Sequence, residues 1–147
     1  MIDRGKHNLL GVGIDAVDYA GAVERIVAAA REQRPLAVSA LAVHGVMTGV
    51  LDAAHRYQLN ALDLVCPDGQ PVRWGLNLLH RTRLSERVYG PRLMLEVCRA
   101  AAENGLPIFL FGGDEQLLDT LSNNLTEQFP ALQIAGKRSS KFRQLSE

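Results

Sequence analysis

Asp68 is the first side chain in this sequence with the surroundings for chemistry. It lies in "LDLVCPDGQPVRWG", Leu62 to Gly75, where an apolar run ends in Cys66-Pro67-Asp68-Gly69 and a second proline follows at Pro71. A carboxylate at the end of a strand can act as a general base, taking a proton from an attacking hydroxyl, or as an electrostatic stabiliser at the mouth of a sheet. The same residue can instead cap the helix that follows. Aspartate accepts the free amides of a first turn, and Pro71 within that turn costs little because its missing donor had no partner. A carboxylate fully engaged in capping is a poorer base, so the two readings compete.

Other residues fall at places where ligands bind. Gly112-Gly113 follow the apolar run "PIFLF" and can let backbone approach a phosphate at a helix start. They lack the lysine and Ser/Thr of a P-loop and the spacing of a dinucleotide fingerprint, so a plain strand-to-helix turn is the default. Gly11-Val12-Gly13 reads as lying inside a strand. His44 stands between a strand and a helix, where imidazole serves packing and hydrogen bonding more often than catalysis. Asp15 also falls after a strand. Arg81, Arg83, Arg87 and Arg92 form a solvated face by default, yet clustered arginines suit the forked recognition of a diphosphate. His7, His55 and His80 have no partner at metal-ligand spacing and no acidic pair resembles a DxD element, so no metal site is expected. Cys66 and Cys98, each among apolar residues, read as buried thiols in a reducing compartment rather than as a disulfide or zinc pair.

Positioning these residues requires strands that alternate with helices. "LLGVGI" (Leu9 to Ile14) predicts a first strand with a bulge or tight approach at its glycines, followed by helical spacing at Val23, Ile26, Val27 and Ala30. Leu36 to Leu41 predicts a second strand. One apolar helix face follows at Val43, Val46, Met47, Val50, Leu51 and Ala54. Leu62 to Val65 is a third strand, and the helix after Asp68 carries Val72, Gly75, Leu76 and Leu79. His80 to Glu86 reads as a loop. Leu93, Met94, Val97, Cys98 and Ala101 stripe another helix, stopped by Asn104-Gly105. Pro107 to Phe111 is a strand, Asp114 an N-cap, Leu117, Leu118, Leu121 and Leu125 a helix face, and "LQIAG" a last short strand. The alternation predicts one α/β domain over 1–147, a Rossmann-like open parallel sheet with helices on both faces. Ligands of such sheets bind beyond the carboxyl ends of the strands. The ending "GKRSSKFRQLSE" leaves a strand in charged sequence, so the sheet is expected to be incomplete at the C-terminus.

Composition limits the function classes. The 147 residues are 47% hydrophobic, and sixteen basic side chains balance sixteen acidic ones, which gives no global attraction to nucleic acid. No apolar h-region follows "MIDRGKHNLL", and no apolar run approaches the roughly 18 residues that span a bilayer. A cytoplasmic protein is expected, with contact to a membrane surface left open. An unfinished sheet has an open edge and uncovered apolar faces, so a homo-oligomer is expected.

Three blocks carry a resemblance. "D-x-x-x-P-D-G" at Asp63 to Gly69, "R-V-x-G-P-x-L-M" at Arg87 to Met94, and the strand "IFLFGG" occur in an order and spacing that resemble the WecG/TagA/CpsF glycosyltransferase family, from about Leu9 to the last residue. The resemblance implies inverting, metal-independent transfer of a sugar such as N-acetylmannosamine. The donor would be a UDP-sugar and the acceptor a polyprenyl-diphosphate-linked glycan. The work would belong to teichoic acid, common-antigen or exopolysaccharide synthesis at the inner face of the plasma membrane. It implies Asp68 as the base. His44, Gly69, Arg87, Gly90, Gly112 and Gly113 are the expected substrate contacts. The chain departs from the family where Ser39-Ala40-Leu41 stands for "T-x-N", and where Gly90-Pro91-Arg92-Leu93 stands for "G-P-D-L". Family members are also longer, with a "G-x-G-x-x-x-Q-E"-like segment and a basic C-terminal appendage. On that reading the 147 residues alone turn over little. The alternatives are a catalytically silent truncated fragment and a small nucleotide- or partner-binding α/β domain.

Overall fold

The computed structural model describes residues 1–140 and divides into two compact units, Met1–Val97 and a second beginning at Cys98. The first opens with a hairpin, β1 (Asp3–Leu9) antiparallel to β2 (Val12–Val17). Leu10 and Gly11 form its two-residue turn with φ of +56° and +92°, the positive values that a type I′ turn requires at both positions. The glycines of "LLGVGI" therefore do not bulge a single strand. Gly11 makes the turn, and Gly13 pairs with Asn8 on β1. β1 is mostly exposed and polar, so no apolar run marks it in the sequence.

Next come α1 (Tyr19–Arg31), β3 (Val38–Leu41), α2 (Val43–Leu51), α3 (Ala53–Asn60), β4 (Leu64–Pro67), α4 (Gln70–His80) and α5 (Gly90–Asn104). The apolar face expected from Val43 to Ala54 is split at Asp52, whose backbone is extended. Its carboxylate accepts the N–H groups of Ala54 and His55 at 2.8 and 3.1 Å, which starts a new helix there. β3 and β4 pair in parallel, with Leu41 opposite Pro67.

Asp15 corrects a second expectation. It lies inside β2 rather than beyond a strand, 2% exposed, and serves packing rather than ligand binding. Its carboxylate accepts from Arg25 at 2.9 Å and from the Val65 N–H at 2.8 Å, with Lys6 Nζ 3.8 Å away. β2 thus meets β4 through a side chain, not through a backbone ladder. Alternate residues of these strands feed two apolar clusters. Val12, Ile14, Ala16 and Val65 join Val46, Leu59, Val72 and Leu76, whereas Val17, Leu64 and Cys66 join Tyr19, Ala22, Val88 and Leu93.

In the second unit β5 (Ile108–Phe111) pairs in parallel with β6 (Ile134–Arg138), joined by α6 (Glu115–Gln128). Two expected caps are present. Asp114 accepts the Leu117 N–H at 2.7 Å, and Gly105, at φ +63°, follows the end of α5. The described chain is thus mixed α/β, with one antiparallel and two parallel strand pairs, and not the continuous open sheet expected. The end of the chain expected to be unfinished lies, from Lys141, outside the described residues. No helix among the described residues is long and apolar enough to cross a membrane.

Both cysteines are buried. Burial, with the Asp15 carboxylate nearby, pushes the Cys66 thiol up to about 12 from the ordinary 9.0. The folded state therefore holds the proton that the unfolded chain releases first. The resulting stability is complete below pH 9.0 and declines as pH rises toward about 12. Neither thiol should react with a disulfide reagent at about pH 8 until denaturant is added. Rapid native labelling of Cys66 would show that its surroundings open readily.

Candidate active site

The parallel β3–β4 pair ends at Leu41 and Pro67, and the chain leaves β4 through Asp68. The Asp68 N–H donates to the carbonyls of Leu41 and Cys66 at 3.2 and 3.0 Å, fixing the residue at the carboxyl edge of both strands. The residue at the cap position of α4 is Gly69, at φ +87°, and no side chain caps that helix. Asp68 is therefore not the N-cap that spacing offered. Its half-buried Oδ2 accepts one long hydrogen bond, 3.3 Å, from the Gly90 N–H at the start of α5. Gly90 sits close: a Cβ there would lie 3.3 Å from Ala40 Cβ and 3.9 Å from Asp68 Oδ2.

The elements around Asp68 share an electrostatic sense. α2 begins after Ala42 and α4 after Gly69, both without a side-chain cap, and α5 begins at Gly90 beside the carboxylate. The starts of α2 and α4 carry unsatisfied N–H groups and the positive end of a helix dipole, which favours anions, whereas at α5 the Gly90 N–H is taken by Asp68. His44 is exposed in the first turn of α2.

The loop expected after His80 runs from Arg81 to Tyr89 and is tied down from α4. Arg73 donates to the carbonyls of Leu84 and Ser85 at 3.2 and 2.7 Å. The Asn77 side chain donates to the Leu84 carbonyl at 2.9 Å and accepts from the Thr82 hydroxyl and the Leu84 N–H, both at 2.7 Å. The loop then docks on the strand edge: the Val88 N–H donates to the Pro67 carbonyl at 2.9 Å, and the Tyr89 N–H to the Tyr19 hydroxyl at 2.8 Å. Arg87 is exposed, with its guanidinium 5.0 Å from the Tyr89 ring. Arg92 is engaged elsewhere, 4.4 Å over the Tyr19 ring and paired with Glu86 and Glu96.

Asp68, Gly69 and Gly90 are thus brought together, with Arg87 three residues before Gly90. Gly112 and Gly113 belong to the second unit. There the Gly112 N–H donates to the Arg138 carbonyl at 3.2 Å, and the start of α6 is already capped by Asp114. Tyr19, Arg73 and Asn77 were not legible as site residues. Arg73 and Asn77 do stand four apart on the polar side of an amphipathic helix, the one signal that pairs them.

Over residues 7–147 the chain matches the model of the Glycosyl transferase WecG/TagA/CpsF family. The chain belongs to this family. It is a glycosyltransferase by family, and the three blocks at Asp63–Gly69, Arg87–Met94 and Ile108–Gly113 all lie within the match. No curated protein matches the chain.

Proposed function

We propose that this glycosyltransferase moves a sugar, such as N-acetylmannosamine, from a UDP-sugar to a polyprenyl-diphosphate-linked acceptor, with Asp68 as general base. The observation that carries the reading is that Asp68 does not cap α4, the helix that follows it, and meets the start of α5 through one long hydrogen bond only. Its carboxylate stands at the carboxyl edge of β3 and β4, beside the uncapped starts of α2 and α4, which suit anions. In the reaction Asp68 takes the proton of the acceptor hydroxyl while that oxygen bonds to the anomeric carbon. The bond from that carbon to the UDP oxygen breaks on the opposite face, UDP leaves with the electron pair, and the configuration inverts.

Arg87 and the amides at the starts of α2 and α4 supply positive charge for the diphosphates, the role a metal ion fills in other transferases. His44 is proposed as a substrate contact from α2, and the positive φ of Gly69 turns the backbone past the site. On the second unit the proposed phosphate contact narrows to Gly113, since the Gly112 N–H is already bonded. The product chemistry belongs to envelope or exopolysaccharide synthesis, at the inner face of the plasma membrane.

A panel of UDP-sugars, offered with and without a polyprenyl-diphosphate-linked acceptor, tests the reading. In a full-length protein that carries this chain, acceptor-dependent release of UDP from one donor is expected, with little turnover from the 147 residues alone. UDP binding with no transfer under any pairing would favour the binding-domain alternative, and transfer from a donor other than a UDP-sugar would overturn the donor assignment.

A further inference from the structure

A trough of about 270 Å³ lies between α2 and α4, its lining, which includes Leu10, Val43, Met47, Pro71, Leu78 and Leu79, without a charged side chain. It follows α4 from Pro71 to Leu79, about 12 Å at 1.5 Å per residue. One end lies at the proposed catalytic edge. Val43 is two residues beyond Leu41, whose carbonyl holds the Asp68 N–H, and Pro71 is three residues beyond Asp68.

The trough keeps apolar surface that folding alone would cover. Leu79 and Met47 belong to the apolar stripes of their helices yet stay open, Leu79 at 59% exposure and Leu78 beside it at 82%. Leu10 is more telling. It takes the left-handed backbone that favours glycine or asparagine, and it is 60% exposed. A leucine there gains little from packing and strains the turn. Residues that break local rules of folding concentrate where function needs them.

We propose that this trough seats the isoprenoid chain of the acceptor lipid, with its diphosphate head toward Asp68; the proposal rests on the acceptor class given above. Charge supports this occupant. The trough is uncharged along its length, while the helix starts and Arg87 at the Asp68 end suit an anionic head. A concave, uncharged trough suits one linear apolar chain. Gly75 keeps the floor low, since a Cβ there would lie 2.9 Å from Leu9 Cδ1.

Trp74, the only tryptophan, is exposed one turn from Leu78 and reports on the trough. Farnesyl diphosphate should shift its emission to the blue in a saturable manner, and inorganic diphosphate should not. Leu10→Asn and Leu79→Asp should each weaken farnesyl diphosphate roughly tenfold, the scale of losing one or two apolar contacts. Leu10→Asn should at the same time raise the melting temperature, because asparagine before glycine is a favoured type I′ pair. Farnesyl diphosphate affinity unchanged from the parent in both variants would overturn the proposal. So would an equal Trp74 shift from phosphatidylglycerol vesicles free of isoprenoid, which would mark a bilayer-docking face. A dimer that Leu79→Asp dissociates and farnesyl diphosphate does not would overturn it as well, marking an interface between copies. Farnesyl diphosphate binding in the trough without any UDP-sugar turnover would support this assignment and count against the proposed reaction. Acceptor-dependent transfer unaffected by both variants would do the reverse.

Discussion

In a full-length protein that carries this chain, Asp68→Asn is expected to lower sugar transfer by about two to four orders of magnitude, the contribution of a positioned general base, while leaving UDP binding and the melting temperature close to the parent. The substitution removes the proton acceptor and little else. The asparagine carbonyl can still accept the 3.3 Å hydrogen bond from the Gly90 N–H, and no helix cap is lost because α4 has none from this side chain. A carboxylate that capped α4 would behave otherwise, since losing a cap costs about 1 kcal/mol. Turnover and thermal melting measured on one preparation separate the two roles. Unchanged turnover would remove Asp68 from the base role, and a marked fall in melting temperature would return it to a structural one.

The largest effect on stability is expected at Asp15. Asp15→Ala leaves the Val65 N–H without an acceptor in the interior and Arg25 without its nearest partner. A buried donor left unpaired costs about 1–3 kcal/mol, and breaking a buried ion pair about 3–5. Arg25 is 31% exposed and can rehydrate, which places the total at about 2–4 kcal/mol. That is a large share of the roughly 5–15 kcal/mol that holds a domain together. Asp15→Asn keeps an oxygen for Val65 and should lose less. Denaturant titration of the three proteins checks the order, and a loss below about 1 kcal/mol in Asp15→Ala would mean that water takes over the carboxylate's contacts.

The caps at Asp114 and Gly105 and the loop after His80 were legible because their signals are local. The hairpin was not. β1 is an exposed strand of charged and polar residues, and period-two alternation needs one buried face to be visible. Nor did the break at Asp52 show, because an aspartate amid an apolar stripe reads as one polar position until its carboxylate is seen to accept two amides. The largest reversal concerns the two aspartates. Asp68 carries the sequence signs of a cap for the helix that follows it and is not that cap, since Gly69 at positive φ holds the position and the carboxylate meets Gly90 at the start of α5 instead. Asp15 is expected from sequence at a ligand-binding edge and is a buried tie between β2 and β4. Sequence located the carboxylates; only long-range pairing told a structural one from a free one.

The clasp on the loop at Arg81–Tyr89 has a kinetic side. Arg73 and Asn77 reach partners only 5 to 12 residues away, and contacts this close in sequence lose little chain entropy on closing. α4 and its loop can therefore form together as one early piece. The bond from Tyr89 to Tyr19 spans 70 residues and must wait for the hairpin and α1. The edge that holds Asp68 thus joins a locally closed part to a long-range contact whose closure costs more chain entropy.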